Sequence, residues 1–232
     1  MNDHIAKQFD ADLENIRNRV LQMGGVVEQL IVMAMDGLSS GDMLVIDEAI
    51  ATDERVNRHE VELDEACNQV IARRQPTASD LRLVMTVVKI ITDLERIGDE
   101  AKKVAKMAKQ IHGSDFHSAP AIEFRHVSGM VVSMLRQALD AFARLDVVAA
   151  GQVVRADQEV DVEFKSAMRQ LITYMMEDPR TISHSLDMVF IAKAIERIGD
   201  HSKNIAEYVI YMVKGRDVRH IGLAEIEREI AS

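Results

Sequence analysis

Tryptophan is missing from the 232 residues, aromatic residues make up only 4%, and the chain holds three prolines and one cysteine. A lone Cys67 cannot close an intrachain disulfide, which excludes a secreted disulfide scaffold and also a CxxC zinc or redox pair. So few aromatic residues argue against a sheet-based fold, and so few prolines leave long helices unbroken. Long apolar runs are absent too: none reaches the ~18 residues of a membrane span. The longest are interrupted by Glu28, Gln29, Asp187 or Lys193. The first residues, MNDHIAKQFDADLENIR, are charged throughout and lack the apolar core of a signal peptide. Positive charge is in deficit, 28 Lys and Arg against 38 Asp and Glu, for a net charge of −10. Phosphate repels such a chain, so no nucleic-acid partner is expected. No phosphate-binding Gly-rich loop and no Gly-x-Ser-x-Gly elbow occurs, which leaves nucleotide hydrolysis and esterase chemistry without support. The expectation is a cytoplasmic protein.

What the chain does have is helical periodicity. Residues of the AVILMFWYC set form 47% of it and recur at three- and four-residue spacing in six long segments, roughly 8–39, 42–74, 79–112, 120–144, 146–176 and 182–214. Breaks fall at Ser39–Asp42, at Gln75–Asp80 with Thr77 or Ser79 as the next cap, at Arg144–Asp146 and at Glu177–Thr181. His112 to Pro120 is the longest non-periodic stretch and is read as a linker. A charged tail, 216–232, has a helical pattern over 223–230.

The chain is also duplicated. Glu95-Arg96-Ile97-Gly98-Asp99 recurs as Glu196-Arg197-Ile198-Gly199-Asp200, at an offset of 101; Lys102 matches Lys203. At an offset of 104, Asp42 meets Asp146 and Asp53 meets Asp157. The predicted fold is therefore all-α, with two tandem, sequence-related three-helix bundles of antiparallel up-down topology, residues 1–112 and 113–232.

Carboxylates interrupt the stripes that should be core. In the fifth segment Asp157 and Asp161 occupy consecutive positions of the stripe Ala150, Val154, Asp157, Asp161, Phe164, Met168. In the second, Asp53, Asn57 and Glu60 do so. Residues four apart project from one side of a helix, and a buried carboxylate must find a cation. Glu95 with Asp99, and Glu196 with Asp200, flank the stripes of the third and sixth segments. Clusters of carboxylate oxygen suit hard cations, and carboxylate-rich bundles also hold iron. Other features read as structural. Cys67 and the methionines fill the core. Lys102, Lys103, Lys106 and Lys109 make a solvated basic face. Arg96 and Arg197 are ion-pair partners for the acids. Minor ligand candidates are His59, His201 and a Glu123-x-x-His126 pair.

The duplicated ERIGD motif, residues 72–85 (ARRQPTASDLRLVM), residues 170–178 (QLITYMMED) and the close 211–215 (YMVKG) together resemble the PhoU family, accessory regulators of bacterial phosphate-specific transport. The resemblance runs from about residue 5 to 223. It implies a cytoplasmic homodimer without enzymatic activity. It implies repression of the phosphate-starvation response through two partners, the ATPase subunit of the phosphate ABC transporter and a phosphate sensor histidine kinase, with membrane association only through them. By the same resemblance metal ions (Mg, Mn, Zn or Fe) are held by Asp53, Asn57, Glu95 and Asp99 in one half and by Asp157, Asp161, Glu196 and Asp200 in the other. Asn57 departs from the paired-acid pattern, so the first half is expected to bind metal more weakly unless Glu60 compensates. The alternative is a metal-dependent enzyme using the same carboxylates.

Overall fold

The computed structural model describes residues 2–76, 78–113 and 122–231, giving for 2–8 and 79 the backbone alone. Helices α1 (Asn2–Ser40), α2 (Met43–Arg74) and α3 (Ala78–His112) form the first bundle. Helices α4 (Arg125–Arg144), α5 (Val147–Glu177) and α6 (Ile182–Lys214) form the second, and α7 (Leu223–Ala231) follows. No strand occurs among the described residues, and no helix there is long and apolar enough to cross a membrane.

Duplication is visible in the caps. Asp42 accepts hydrogen bonds from the backbone N–H of Leu44 and Val45, and Asp146 does the same for Val148 and Ala149. Each satisfies donors that an opening helix leaves free. The α5–α6 break is a 3-10 turn, Pro179–Thr181, capped by Asp178 on the Arg180 N–H. Gly215 ends α6 at φ 76°, in the left-handed region that a residue without Cβ enters freely.

Two helix starts differ from expectation. Ser79 lies inside α3 and is not its cap, while Thr77 lies outside the described residues. The fourth helix opens at Arg125 instead of 120, after Phe124, whose side chain is buried. The expected linker falls mostly on 114–121, outside the described residues. Because Glu123 precedes α4, it does not share a helix face with His126; its carboxylate lies 3.6 Å from Arg125.

The bundles pack against each other along α3 and α6, and more lightly along α1 and α4. Gly24 of α1 faces the side chain of Leu139 on α4, a contact that leaves no room for a Cβ. One apolar cluster runs through both bundles, from Ile16, Val20 and Leu30 to Phe142, Ile191 and Ile205. Cys67 is fully buried in it, and burial pushes its thiol up to about 11, as for a small inert core residue. The tail is also packed: Ile226 is buried, and Ile230 lies over Gly151 of α5. Glu227 meets Arg155, and Arg216 pairs with Glu225 and Glu229.

Candidate functional site: two carboxylate wells

Each repeat places its motif glycine on the core-facing side, where it admits the neighbouring helix. A Cβ on Gly98 would sit 3.2 Å from Val56 of α2. One on Gly199 would sit 3.4 Å from Val160 of α5 and 3.9 Å from an Asp157 carboxylate oxygen. The close approach carries Asp53 and Asp157 inward, to 1% and 8% exposure.

Both aspartates meet a lysine. Lys102 Nζ donates to Asp53 Oδ2 at 2.5 Å, and Lys203 Nζ donates to Asp157 Oδ2 at 2.7 Å. The basic face expected at Lys102 is thus only partly solvated, because its four-carbon stem crosses the α2–α3 groove and puts the ammonium on the buried acid. The Asp53 hydrogen bond lifts Lys102 above its ordinary value, against a smaller desolvation cost. Burial pulls Lys203 down, but the hydrogen bond and charge of Asp157, with Glu207 and Asp200 behind it, outweigh that and leave it raised. The signal was present in the sequence as a Lys three residues after each ERIGD aspartate.

Around these pairs the wells differ. In the first half Glu60 and Glu95 are both pushed above the usual carboxylate range. Burial is the largest cause; for Glu95 the charges of Asp99, Glu60 and Asp53 add to it, eased only by Arg96. These effects place the charges of Asp53, Glu60, Glu95 and Asp99 near one another. Asn57 is exposed and donates from Nδ2 to Asp53 Oδ2 at 3.3 Å. The second Asp53 oxygen, Oδ1, is buried with no hydrogen-bond partner.

In the second half Asp200 is pushed up, first by burial and then by Glu196 and Asp157. Glu196 has its own cation, Lys193, at 2.6 Å. Asp161, which continues the apolar stripe by spacing, has a side chain 47% exposed and lies 3.8 Å from Lys165. The apolar stripe itself continues past it, with Phe164 packed on the core and Leu171 buried. Glu207, one turn beyond Lys203, is buried at 4% exposure and titrates at about 7. Desolvation is the main cause, opposed by Lys203 and Arg219.

As donor chemistry the acids suit a hard cation, and Asp53 Oδ1 is a buried oxygen without a hydrogen-bond partner. With side chains as they stand, however, no three His, Cys, Asp or Glu converge as a ligand set among the described residues. The lysines hold that place.

His201 faces away from this well. It lies between the bundles, its Nδ1 2.6 Å from Asp93 on α3, and Asn204 also donates to Asp93 at 3.3 Å. Arg197 crosses the same seam to Glu100 at 3.1 Å, so it is an inter-repeat tie and not a partner of the acids beside it. Lys89 sits over the rings of Tyr208 and Tyr211 at 5.4 and 5.5 Å. Spacing within one helix could not reveal these contacts, because each joins residues about a hundred positions apart.

Comparison with known proteins agrees with this architecture. The family model described as PhoU domain matches twice, over residues 20–108 and 124–209. The chain is 47% identical over 227 residues to a Pseudomonas aeruginosa protein named phosphate-specific transport system accessory protein PhoU homolog, covering 98% of this chain and 94% of that one. It is 46% identical over 231 residues to the Escherichia coli phosphate-specific transport system accessory protein PhoU, covering 100% and 95%. The crystal structure of PhoU from Pseudomonas aeruginosa superposes with a TM-score of 0.86 at 46% identity, over 90% of this chain and all of that one. The phosphate transport system regulatory protein PhoU from Streptococcus pneumoniae does so with 0.84 at 25% identity, over 90% and 99%. These relatives are named as accessory and regulatory proteins, not as enzymes. With both repeats matched and nearly the whole length aligned, the chain belongs to the PhoU family.

Proposed function

We propose that this chain is a negative regulator of the phosphate-starvation response and a modulator of phosphate uptake. In this reading it is a cytoplasmic homodimeric adaptor. It links the ATPase subunit of a phosphate ABC transporter to a phosphate sensor histidine kinase, and reaches the membrane only through them. The observation that carries the reading is identity near 46% along almost the full length to accessory proteins of phosphate-specific transport. The two-bundle form supports it, since long helices leave side-by-side outer faces for two partners. The metal-dependent enzyme alternative is disfavoured by Lys102 and Lys203, which sit on the carboxylates that an open catalytic metal would need.

Metal binding is a second part of the proposal. Asp53, Glu95 and Asp99, with Glu60 and the Asn57 carbonyl oxygen, would hold a cation in the first half. Asp157, Asp161, Glu196 and Asp200 would do so in the second. Mg, Mn, Zn and Fe all remain compatible with carboxylate donors. The bound ion would supply charge neutralisation. Lys102 and Lys203 already supply part of it, so each lysine would swing outward as its well loads.

Tagged protein recovered from its host at high and at low phosphate tests both parts. Mass spectrometry is expected to find the transporter ATPase and the kinase, and elemental analysis to find metal. Recovery of neither partner in either condition overturns the adaptor reading, and metal-free protein overturns the second part.

A further inference from the structure

Helix α2 carries eight acids, yet one stretch of its outer face is basic. Arg55, Arg58 and His59 line a cleft of about 200 Å³ whose remaining wall is Glu62. Arg55 and Arg58 lie one turn apart on one side of the helix, with His59 beside them. Both arginines are exposed, and neither has an ion-pair partner among the described residues. Nearby acids are committed elsewhere. Glu62 is held by Arg19 of α1 at 3.2 Å. Glu54, one turn before Arg58, makes no ion pair within 4 Å with either arginine and also acts on Lys102. Two adjacent guanidiniums that make no ion pair repel each other, and an anion seated between them would relieve that repulsion.

The other repeat sharpens the point. At the offset of 104, Arg55, Arg58 and His59 correspond to Glu159, Val162 and Glu163 of α5. The same place in the same fold unit is therefore basic in one copy and acidic in the other. The fold does not require positive charge there.

We propose that the Arg55–Arg58–His59 cleft binds a phosphoryl dianion. Guanidinium forks donate paired hydrogen bonds to phosphoryl oxygens, and an imidazole N–H supplies a third donor. The opening has room for several waters at roughly 30 Å³ each, enough for a tetrahedral oxyanion. Free inorganic phosphate and the phosphoryl group of a nucleotide share this chemistry. The inference does not rest on the adaptor reading.

The test is an NMR titration of the isotope-labelled full chain at pH 7.5 and low ionic strength, following the His59 ring and the arginine Nε–H signals. Inorganic phosphate and adenosine monophosphate are titrated separately. The expected result is saturable shifts at His59, Arg55 and Arg58 with at least one of them. The double variant Arg55→Gln, Arg58→Gln is expected to raise the half-saturation concentration about tenfold or more, the loss of charge-assisted hydrogen bonds. Arg73→Gln, at an exposed arginine elsewhere on α2, leaves it unchanged. Binding of inorganic phosphate at least as tight as that of the nucleotide assigns the site to the free anion, and tighter binding of the nucleotide assigns it to a carried phosphoryl group. No saturation with either probe, or the same loss in Arg73→Gln, overturns the proposal. All three positions are on the surface, so an unchanged thermal midpoint confirms that the variants fold.

Discussion

The two carboxylate wells have the same number of principal acids, placed differently. The charges of Asp53, Glu60, Glu95 and Asp99 act on one another in the first; Asp157, Glu196 and Asp200 do so in the second, with Asp161 beside them on α5. At the offset of 104, Asn57 answers Asp161 and Glu60 answers Phe164. The first well thus loses an acid on one turn and regains it on the next. Cations differ as well. Glu196 has Lys193 at 2.6 Å, whereas the position equivalent to Lys193 is Thr92, whose hydroxyl donates to the Val88 carbonyl. The first well is the less neutralised of the two and holds the more deeply buried aspartate. Motif matching alone ranked it the weaker site for metal. Glu60 stands one turn from the missing acid, the compensation on which that expectation was made conditional.

Removing the lysines should expose this difference most. Lys102→Met leaves Asp53 buried and uncompensated, and the expected loss is about 3–5 kcal/mol in guanidinium unfolding. Lys203→Met should cost less, because Asp157 is less completely buried. Equal losses would erase the distinction between the wells.

Glu207 gives a pH test that only the second half provides, since the equivalent position is the exposed Lys106. Folded Glu207 keeps its proton up to about pH 7, while an ordinary Glu releases it near 4.5. Between those values the folded state binds more protons than the unfolded state, so stability falls as pH rises through the window and is greatest below it. Glu60, Glu95 and Asp200, all raised, act in the same direction. Glu207→Gln should remove about 1–3 kcal/mol of the slope between pH 4.5 and 7, measured by chemical denaturation at several pH values. A slope unchanged by the variant would sink the assignment.

The glycines offer a finer contrast. Gly98→Ala must push on Val56, fully buried at 3.2 Å. Its gain in helix propensity of roughly 1 kcal/mol is expected to be overtaken, for a net loss of about 1 kcal/mol. Gly199→Ala meets ordinary contacts of 3.4 Å and beyond and should be neutral or slightly stabilising. Thermal midpoints of the two variants compare them directly.

The smallest effect is expected at the outer ends of α2 and α5. Asp47 pairs with Lys109 at 2.6 Å, both side chains about half exposed, whereas the equivalent Gly151 receives Ile230 from α7. Lys109→Ala should change stability by no more than about 0.5 kcal/mol, read from the urea midpoint. A larger loss would mean that the first half relies on this pair as the second relies on its tail.

Much of the fold was legible in the residues. Asp42 and Asp146 mark helix starts because their short carboxylates cap free N–H groups, and they do so in both copies. The offset motif announces two units of one kind. The carboxylates of Asp53 and Asp157 were readable as anomalies, because an acid on an apolar stripe conflicts with burial. Asp161 misled, since periodicity assigns a side of the helix but not how far the neighbouring helix covers it. Lys102 was misread as part of a solvated face for a related reason: a lysine is polar at its tip and apolar along its stem, and sequence does not show which part is buried. Glu60 was read as a stripe anomaly and a compensating acid, and its charge acts on Glu95 in the first well.

By itself the sequence determined the helices, their duplication and the acids at the core-facing side, because these follow from periodicity, capping chemistry and an internal repeat. Only the tertiary structure decided which cation each acid meets, that His201 joins Asp93 between the bundles, and that the first well is the less neutralised. Those outcomes depend on how closely and in what register two helices pack, and a distance between helices is a property of the folded chain that no spacing along one helix contains.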